Sequence, residues 1–541
     1  MKQNILIYVS AIVMTLCSAC SDFLDTYPYD SLSPATTWKT EADAEKFLIG
    51  CYDGWIWGEG FFYWDCASDI GFSYHTHEGW RVIGNGTLAA ANPGTSSYDY
   101  KVIRRCLTLL ENIDGIAFGD EAKKKDIIAQ ARVILAYDYL KMNYWYGGTP
   151  IIASYKDPEE AKTPRNTEEE VKQYIYKQID DALTGIADRP AKRGRVAKGA
   201  ALALKMRSAL YYADYQRSLD AAKAIRDLGQ YELDPNYAGM FTLAGVDSKE
   251  IILSVQHLKS FKDEWIVTVP NNADGGWSSM VPTQNLVDMY EMQDGLTKEE
   301  SSAYDPAHPF KGRDPRMAMT VLYPGQEWQG GVLNTLDETL PDGSKNPNYP
   351  AAADNASKTA LTWSKYVTPL EQYGGDLYST SMCQIAFRYA EVLLTIAEAS
   401  NELSGPSAEA YDALDAVRAR AGMPAVNRTK YASKETLREL IRRERTVELA
   451  GEGHRRADIM RWKDASGKML AETVLNAPLT RITGTLDYNE TDPYARATVN
   501  VSASATAGKI EDRKFAPHNR YLPFPQSALD KNPALKQNPG Y

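Results

Sequence analysis

Residues 196–228, VAKGAALALKMRSALYYADYQRSLDAAKAIRDL, hold two helical patterns separated by about one turn. Apolar residues recur along them at helical spacing, so each helix carries a stripe that must be buried. Ala200, Ala201 and Ala203 are small enough to let a neighbouring backbone approach closely. The pair takes 33 residues, close to the period of repeats that stack helix pairs into a superhelix. Residues 386–403 and 407–421 read as a second pair, and 99–118, 122–146 and 167–187 as further helices. The 122–146 pattern is stopped by Gly147, Gly148 and Pro150. The expected fold class is mostly α: a tetratricopeptide-like superhelix of helix pairs, not a sheet protein.

Two irregular blocks interrupt this scaffold. Residues 231–380 are rich in Gly, Pro, Asn and Trp, with strand-like runs such as Ile251–Gln256. Within them, 326–362 reads as loop throughout, punctuated by Gly330, Gly331, Pro341, Pro347 and Pro350. The second block is 465–515. The helical scaffold is expected at about 40–230 and 384–465, and 20–541 as a single domain. Long ordered loops on a rigid scaffold are where binding sites concentrate.

The first 20 residues, MKQNILIYVSAIVMTLCSAC, read as an export signal: a positive Lys2, an apolar run from Ile5 to Leu16, then small residues. The run is too short to span a bilayer. Cys17 and Cys20 form a CxxC, but it sits at the end of the apolar run with no second pair elsewhere, and does not read as a metal or redox motif. The segment reads instead as a lipobox, with 1–19 removed and Cys20 carrying lipid, although Cys17 stands where such motifs more often have Leu. Lipid would anchor the protein to a membrane. The pairing of Cys51, Cys66, Cys106 and Cys383 is open. A net charge of −11 argues against a nucleic-acid partner. The 34 Tyr and 11 Trp, against 12 Phe, favour a wet recognition surface, because both rings pair an apolar face with a polar tip.

No catalytic motif emerges. Glu391 and Glu398, with Arg388, and later Glu444 and Glu448, lie beside apolar helix faces. A hydrolytic carboxylate pair needs a defined separation across a cleft. Acids and arginines on core-facing helices read better as a buried network tying the helices together. Glu452 and His454 are two apart, so they do not form an HExxH zinc site. No GxSxG, P-loop or dinucleotide GxGxxG is present, and no metal or cofactor is implied.

A series of segments in order resembles the SusD/RagB family: CSDFLDTYPYDSLSPATTWKTEADAEKFLIGCYDGW (20–55), FYWDCASD (62–69), IRRCLTLLENID (103–114), ARVILAYDYLKMNYWYGGTPII (131–152) and AKGAALALKMRSALYYADY (197–215). PTQNLVDMYEMQDG (282–295), RDPRM (313–317), FRYAEVLLTIAEASNEL (387–403), RRERTVELAGEGHRRADIMRW (442–462) and YLPFPQSALDKNPALKQNPGY (521–541) continue it. The resemblance covers essentially the whole mature chain. It implies a non-enzymatic outer-membrane lipoprotein at the cell surface, one that binds a nutrient, usually a glycan, and caps a SusC-like TonB-dependent transporter.

The aromatic run from Trp55 to Trp80 then divides. Phe61 to Asp69 lies inside a family signature and reads as core, Trp64 included, and Trp55 and Trp57 read as packing. From Gly71 onward the resemblance fades into GFSYHTHEGWRVIGNGT, without period. In relatives, the loops after this signature contribute to the ligand site. Sugars offer C–H faces for stacking and hydroxyl edges for hydrogen bonds. Tyr74, His75, Trp80, Arg81 and Asn85 supply both, and Trp277 and Trp328 sit amid Gly in later loops. The alternative is a loop folded on its own aromatics. A peptide or other nutrient on the same fold, or a secreted glycoside hydrolase, are the competing functions.

Overall fold

A computed structural model describes residues 38–56, 60–95, 98–154, 159–262, 264–367, 370–500 and 507–541. The export signal, Cys20 and Trp57 lie outside these residues.

The fold is mostly helical. The principal helices are α1 (Glu41–Tyr52), α2 (Gly60–Cys66), α3 (Trp80–Asn85), α4 (Lys101–Asn112), α5 (Glu121–Tyr146) and α6 (Glu168–Leu183). They continue with α7 (Lys198–Tyr211), α8 (Tyr215–Asp227), α9 (Tyr389–Ser404), α10 (Ala408–Arg420), α11 (Lys434–Glu448) and α12 (Arg455–Arg461). Among the described residues no helix is long and apolar enough to cross a membrane.

Several of the long helices start where the sequence supplies a side-chain cap. Asp120 accepts from the Ala122 N–H at 2.8 Å to open α5, and Thr167 with Glu170 forms a capping box on α6. Consecutive helices pack from α4 to α8, and α8 then packs on α9 although residues 228–388 separate them in sequence. On α7 the small residues Ala200, Ala201 and Ala203 are fully or almost fully buried between neighbouring helices. Along α5, Ile134, Leu135 and Tyr139 have no exposed surface. Each buried aliphatic side chain there is worth about 1.5–3 kcal/mol, and Leu135→Ala would cost about 2–5 kcal/mol through the cavity it leaves.

The expected second pair is shifted. Residues 384–388 form a strand, not helix, paired antiparallel with 251–255 so that Ile251 faces Arg388. This two-stranded clasp joins the start of the excursion to its end. It places Arg388 as the N-cap residue of α9. The 326–362 segment is also not all loop, because 327–328 and 331–332 make a hairpin and 362–363 pairs with 321–322. The span after Gly71 holds a strand, a 3-10 turn and helix α3.

A buried ion network fastens the excursion to the scaffold. Arg388 binds Glu250 at 2.7 Å, Glu448 at 2.6 Å and Glu452 at 2.7 Å. Arg316 binds Asp314, Glu444 and Glu448, and Arg418 binds Glu291 and Glu444. Burial alone would push the Glu448 carboxyl up, but Arg420, Arg388 and Arg316 hold it well below the usual carboxylate range. Lys365 is lowered to about 8 by burial and donates to Glu452 at 2.8 Å. The helix acids are thus engaged by cations, as the network reading expects, and do not face each other across a cleft. Cys51, Cys66, Cys106 and Cys383 are all free thiols.

Candidate functional site

The segment after α2 is brought to the excursion by a strand pair. Gly71–Ser73 runs antiparallel to Met280–Pro282, with Phe72 opposite Val281. This sets the loop 74–79 beside the loop 271–279.

The second loop is shaped by its sequence, NNADGGW. The Asn271 side chain accepts from the Asp274 N–H at 3.1 Å and donates to the Asp274 carboxylate at 2.7 Å. At Gly276 a Cβ would stand 2.2 Å from the Pro270 carbonyl oxygen, so only glycine lets the chain close here. The Trp277 N–H then donates to the Val267 carbonyl at 2.8 Å. The Trp277 ring is left half-buried, meeting Tyr378 edge-on at 5.9 Å.

Trp328 comes to the same place from the hairpin. Its Nε1 donates to Asp274 at 2.6 Å. Burial raises the Asp274 carboxyl above its ordinary value, against the lowering by the bonds from Trp328 and Asn271. From the first loop, His75 Nε2 lies 3.4 Å from the Trp277 carbonyl oxygen. Tyr74 and His75 meet at 5.6 Å, and His75 and His77 at 5.5 Å. The Tyr74 ring has Arg81 at 5.3 Å and Lys358 at 4.6 Å, both within cation–π range. Arg81 is held by Glu511 at 2.9 Å. The cluster therefore combines half-buried rings with carboxylate, amide, imidazole and cationic edges, a set suited to a ligand with apolar faces and polar rims.

Of the expected site residues, Tyr74, His75, Arg81, Trp277 and Trp328 converge. Trp80 does not. It is 1% exposed, lies parallel to Tyr63 at 5.3 Å and meets Trp145 edge-on at 5.8 Å. Its expected role as a ligand platform is corrected: it is a core residue. The cause is Gly79, whose φ of +80° turns the chain inward at the start of α3. A Cβ there would also meet the Gly94 backbone at 2.6 Å. Trp64, expected in the core, is instead half-buried and lines a pocket. Asn85 ends α3, and its side-chain oxygen is taken by the N–H and hydroxyl of Thr87 at 3.1 and 2.7 Å. It is a capping residue of that turn.

Sequence reasoning missed Asp274, Tyr378 and Lys358. Asp274 and Asn271 share the Gly-rich loop of Trp277, and Tyr378 follows Gly374-Gly375, so the same aromatic-amid-glycine signal would have found Tyr378. Lys358 carries no comparable signal.

Comparison with known proteins places the chain in a family. Residues 247–541 match the family described as the SusD family, and residues 22–210 match one described as starch-binding associating with outer membrane. A SusD-like protein of Formosa agariphila is 25% identical over 492 residues, covering 85% of this chain and 90% of that protein. The crystal structure of a SusD-like carbohydrate-binding protein from Bacteroides fragilis superposes with a TM-score of 0.78 at 27% identity, covering 93% of this chain and all of the other. A laminarin-binding SusD-like protein shares the fold, with a TM-score of 0.69 at 21% identity over 93% of this chain and all of that one.

Proposed function

The chain belongs to the SusD family, and from that membership we propose that it is a cell-surface glycan-binding protein of the outer membrane. It captures an oligosaccharide or polysaccharide and delivers it to a SusC-like TonB-dependent transporter. The observation that carries glycan capture is the convergence of Trp277, Trp328, Tyr74 and His75, from three separated segments, beside Asp274, Arg81 and Lys358. Rings stack on the C–H faces of a sugar, and the charged and amide groups bind its hydroxyls. The relatives support this reading by what they bind: a carbohydrate in one case, laminarin in another.

Binding does the work without chemistry on the ligand. The carboxylates on α9 and α11 are locked to arginines, which leaves them poor candidates for proton transfer. A panel of polysaccharides in affinity gel electrophoresis tests the reading. Retardation by at least one glycan, lost in Trp277→Ala, is expected. Binding of peptides and of no glycan would overturn it. Delivery is tested separately: gentle solubilisation and pull-down of the native protein should recover a barrel transporter, and recovery of the protein alone would count against it.

A further inference from the structure

Away from the ring cluster, a pocket with about 70 Å³ of water-accessible space opens between α2, α5, α7 and α12. Phe61, Trp64, Tyr137 and Tyr144 form its aromatic wall. Trp64 is half-buried and stacks on Tyr144 at 5.8 Å and 26°.

The charges around this pocket cancel locally. Lys141 pairs with Asp138 at 2.5 Å and Arg207 with Glu391 at 2.6 Å. Arg461 binds Glu398 and Asp458, and Arg445 Nε donates to Asp458. A ligand with net charge would find no spare counter-charge, and burying it would be costly.

Several polar groups of the lining are left over, the buried Tyr144 and Tyr211 hydroxyls among them. Arg445 is 2% exposed, yet its Nη1 has no hydrogen-bond partner among the described residues. Such a buried donor is costly while unsatisfied. His454 also lines the pocket, and its Nδ1 stands 3.8 Å from Glu391, beyond hydrogen-bond length. Burial, with Arg207, Arg445, Arg388 and Lys365 nearby, keeps the imidazole neutral. A neutral imidazole offers one donor and one acceptor.

We propose that this pocket is a second ligand site, which receives one neutral pyranose ring stacked on Trp64 and hydrogen-bonded by Arg445 and His454. An uncharged ring with a C–H face and hydroxyl edges meets every feature of the lining. The site is separate from the Trp277 face and stands on different residues.

Saturation-transfer NMR on the purified protein with glucose, galactose, mannose and their methyl glycosides tests it. Free sugars and glycosides distinguish a free hexose from the end of a glycan chain. At least one should bind, with a Kd on the order of 1 mM. Trp64→Ala and His454→Gln should each weaken that binding about tenfold or more and leave polysaccharide retention unchanged. Trp277→Ala should leave hexose binding unchanged. Melting temperatures accompany each variant, and if Trp64→Ala does not fold, His454→Gln and Trp64→Leu decide. Absence of binding to all six sugars overturns the proposal. So does wild-type affinity in the variants that decide, or loss of hexose binding in Trp277→Ala.

Discussion

The imidazole of His75 reaches the backbone carbonyl of Trp277, 3.4 Å away and 202 positions further along the chain. The contact joins the two loops that carry the candidate rings, so displacing either loop would change the spacing of the rings that a sugar must match.

Trp277→Ala and Trp328→Ala should each weaken binding of the cognate glycan by about tenfold, since one stacking platform is worth on the order of 1 kcal/mol beyond its area. Because both rings are half-buried, their melting temperatures should fall far less than that of Trp80→Ala. The latter removes a ring packed on Tyr63 and should lose about 3–5 kcal/mol. Calorimetry on the three variants checks both halves. A Trp80→Ala protein as stable as wild type would refute the packing assignment.

Glu448→Gln should destabilise the protein by about 3–5 kcal/mol, the usual cost of breaking a buried pair from one side. It leaves Arg388, Arg420 and Arg316 short of a counter-charge they now share. Denaturant unfolding measures it. A change below about 1 kcal/mol would mean water reaches the network.

Acid should weaken the fold through His454. Burial and the surrounding cations hold its imidazole well below the ordinary value of 6.5. The unfolded chain takes up a proton near that value and the folded chain does not, so stability falls as the pH drops through about 6.5. Asp65 works in the opposite direction. Burial raises it to about 7, so the folded state binds that proton more readily. Both variant and wild type keep Asp65, and it cancels in their difference. Between about pH 7.5 and 5.5, His454→Gln should therefore lose less melting temperature than wild type. Parallel losses would show that the histidine does not titrate differently on folding.

Mass spectrometry of the native N-terminus should find Cys20 as the first residue, carrying acyl chains. The motive is the apolar run that ends in Ser18-Ala19-Cys20. A mature chain beginning elsewhere, or an unmodified Cys20, would exclude the anchor.

The helices were legible because their signals are local: a cap, an apolar stripe, a glycine stop. Residues 122–146 read as helix and fold as Glu121–Tyr146. The burial of Trp80 was not legible. Reading the stretch after Gly71 as a loop because it lacks a period counts only neighbours in sequence. The partners that bury Trp80 include Trp145 on α5, and no periodicity near position 80 announces it. The strand at 384–388 was hidden for the same reason, because its partner at 251–255 lies across the whole excursion. Trp277 and Trp328 were legible as a type of residue in a type of loop. That Trp328 reaches Asp274, in the loop that carries Trp277, was not.

The packing of α8 on α9 across residues 228–388 has a consequence for how the molecule is made. Synthesis runs at about 5–20 residues per second, so α8 emerges well before the helix that covers it. Throughout that interval its greasy side is uncovered, and the long loop that must close carries an entropic cost that local helix pairs escape. A fragment ending near residue 228 should therefore be sticky and poorly soluble alone.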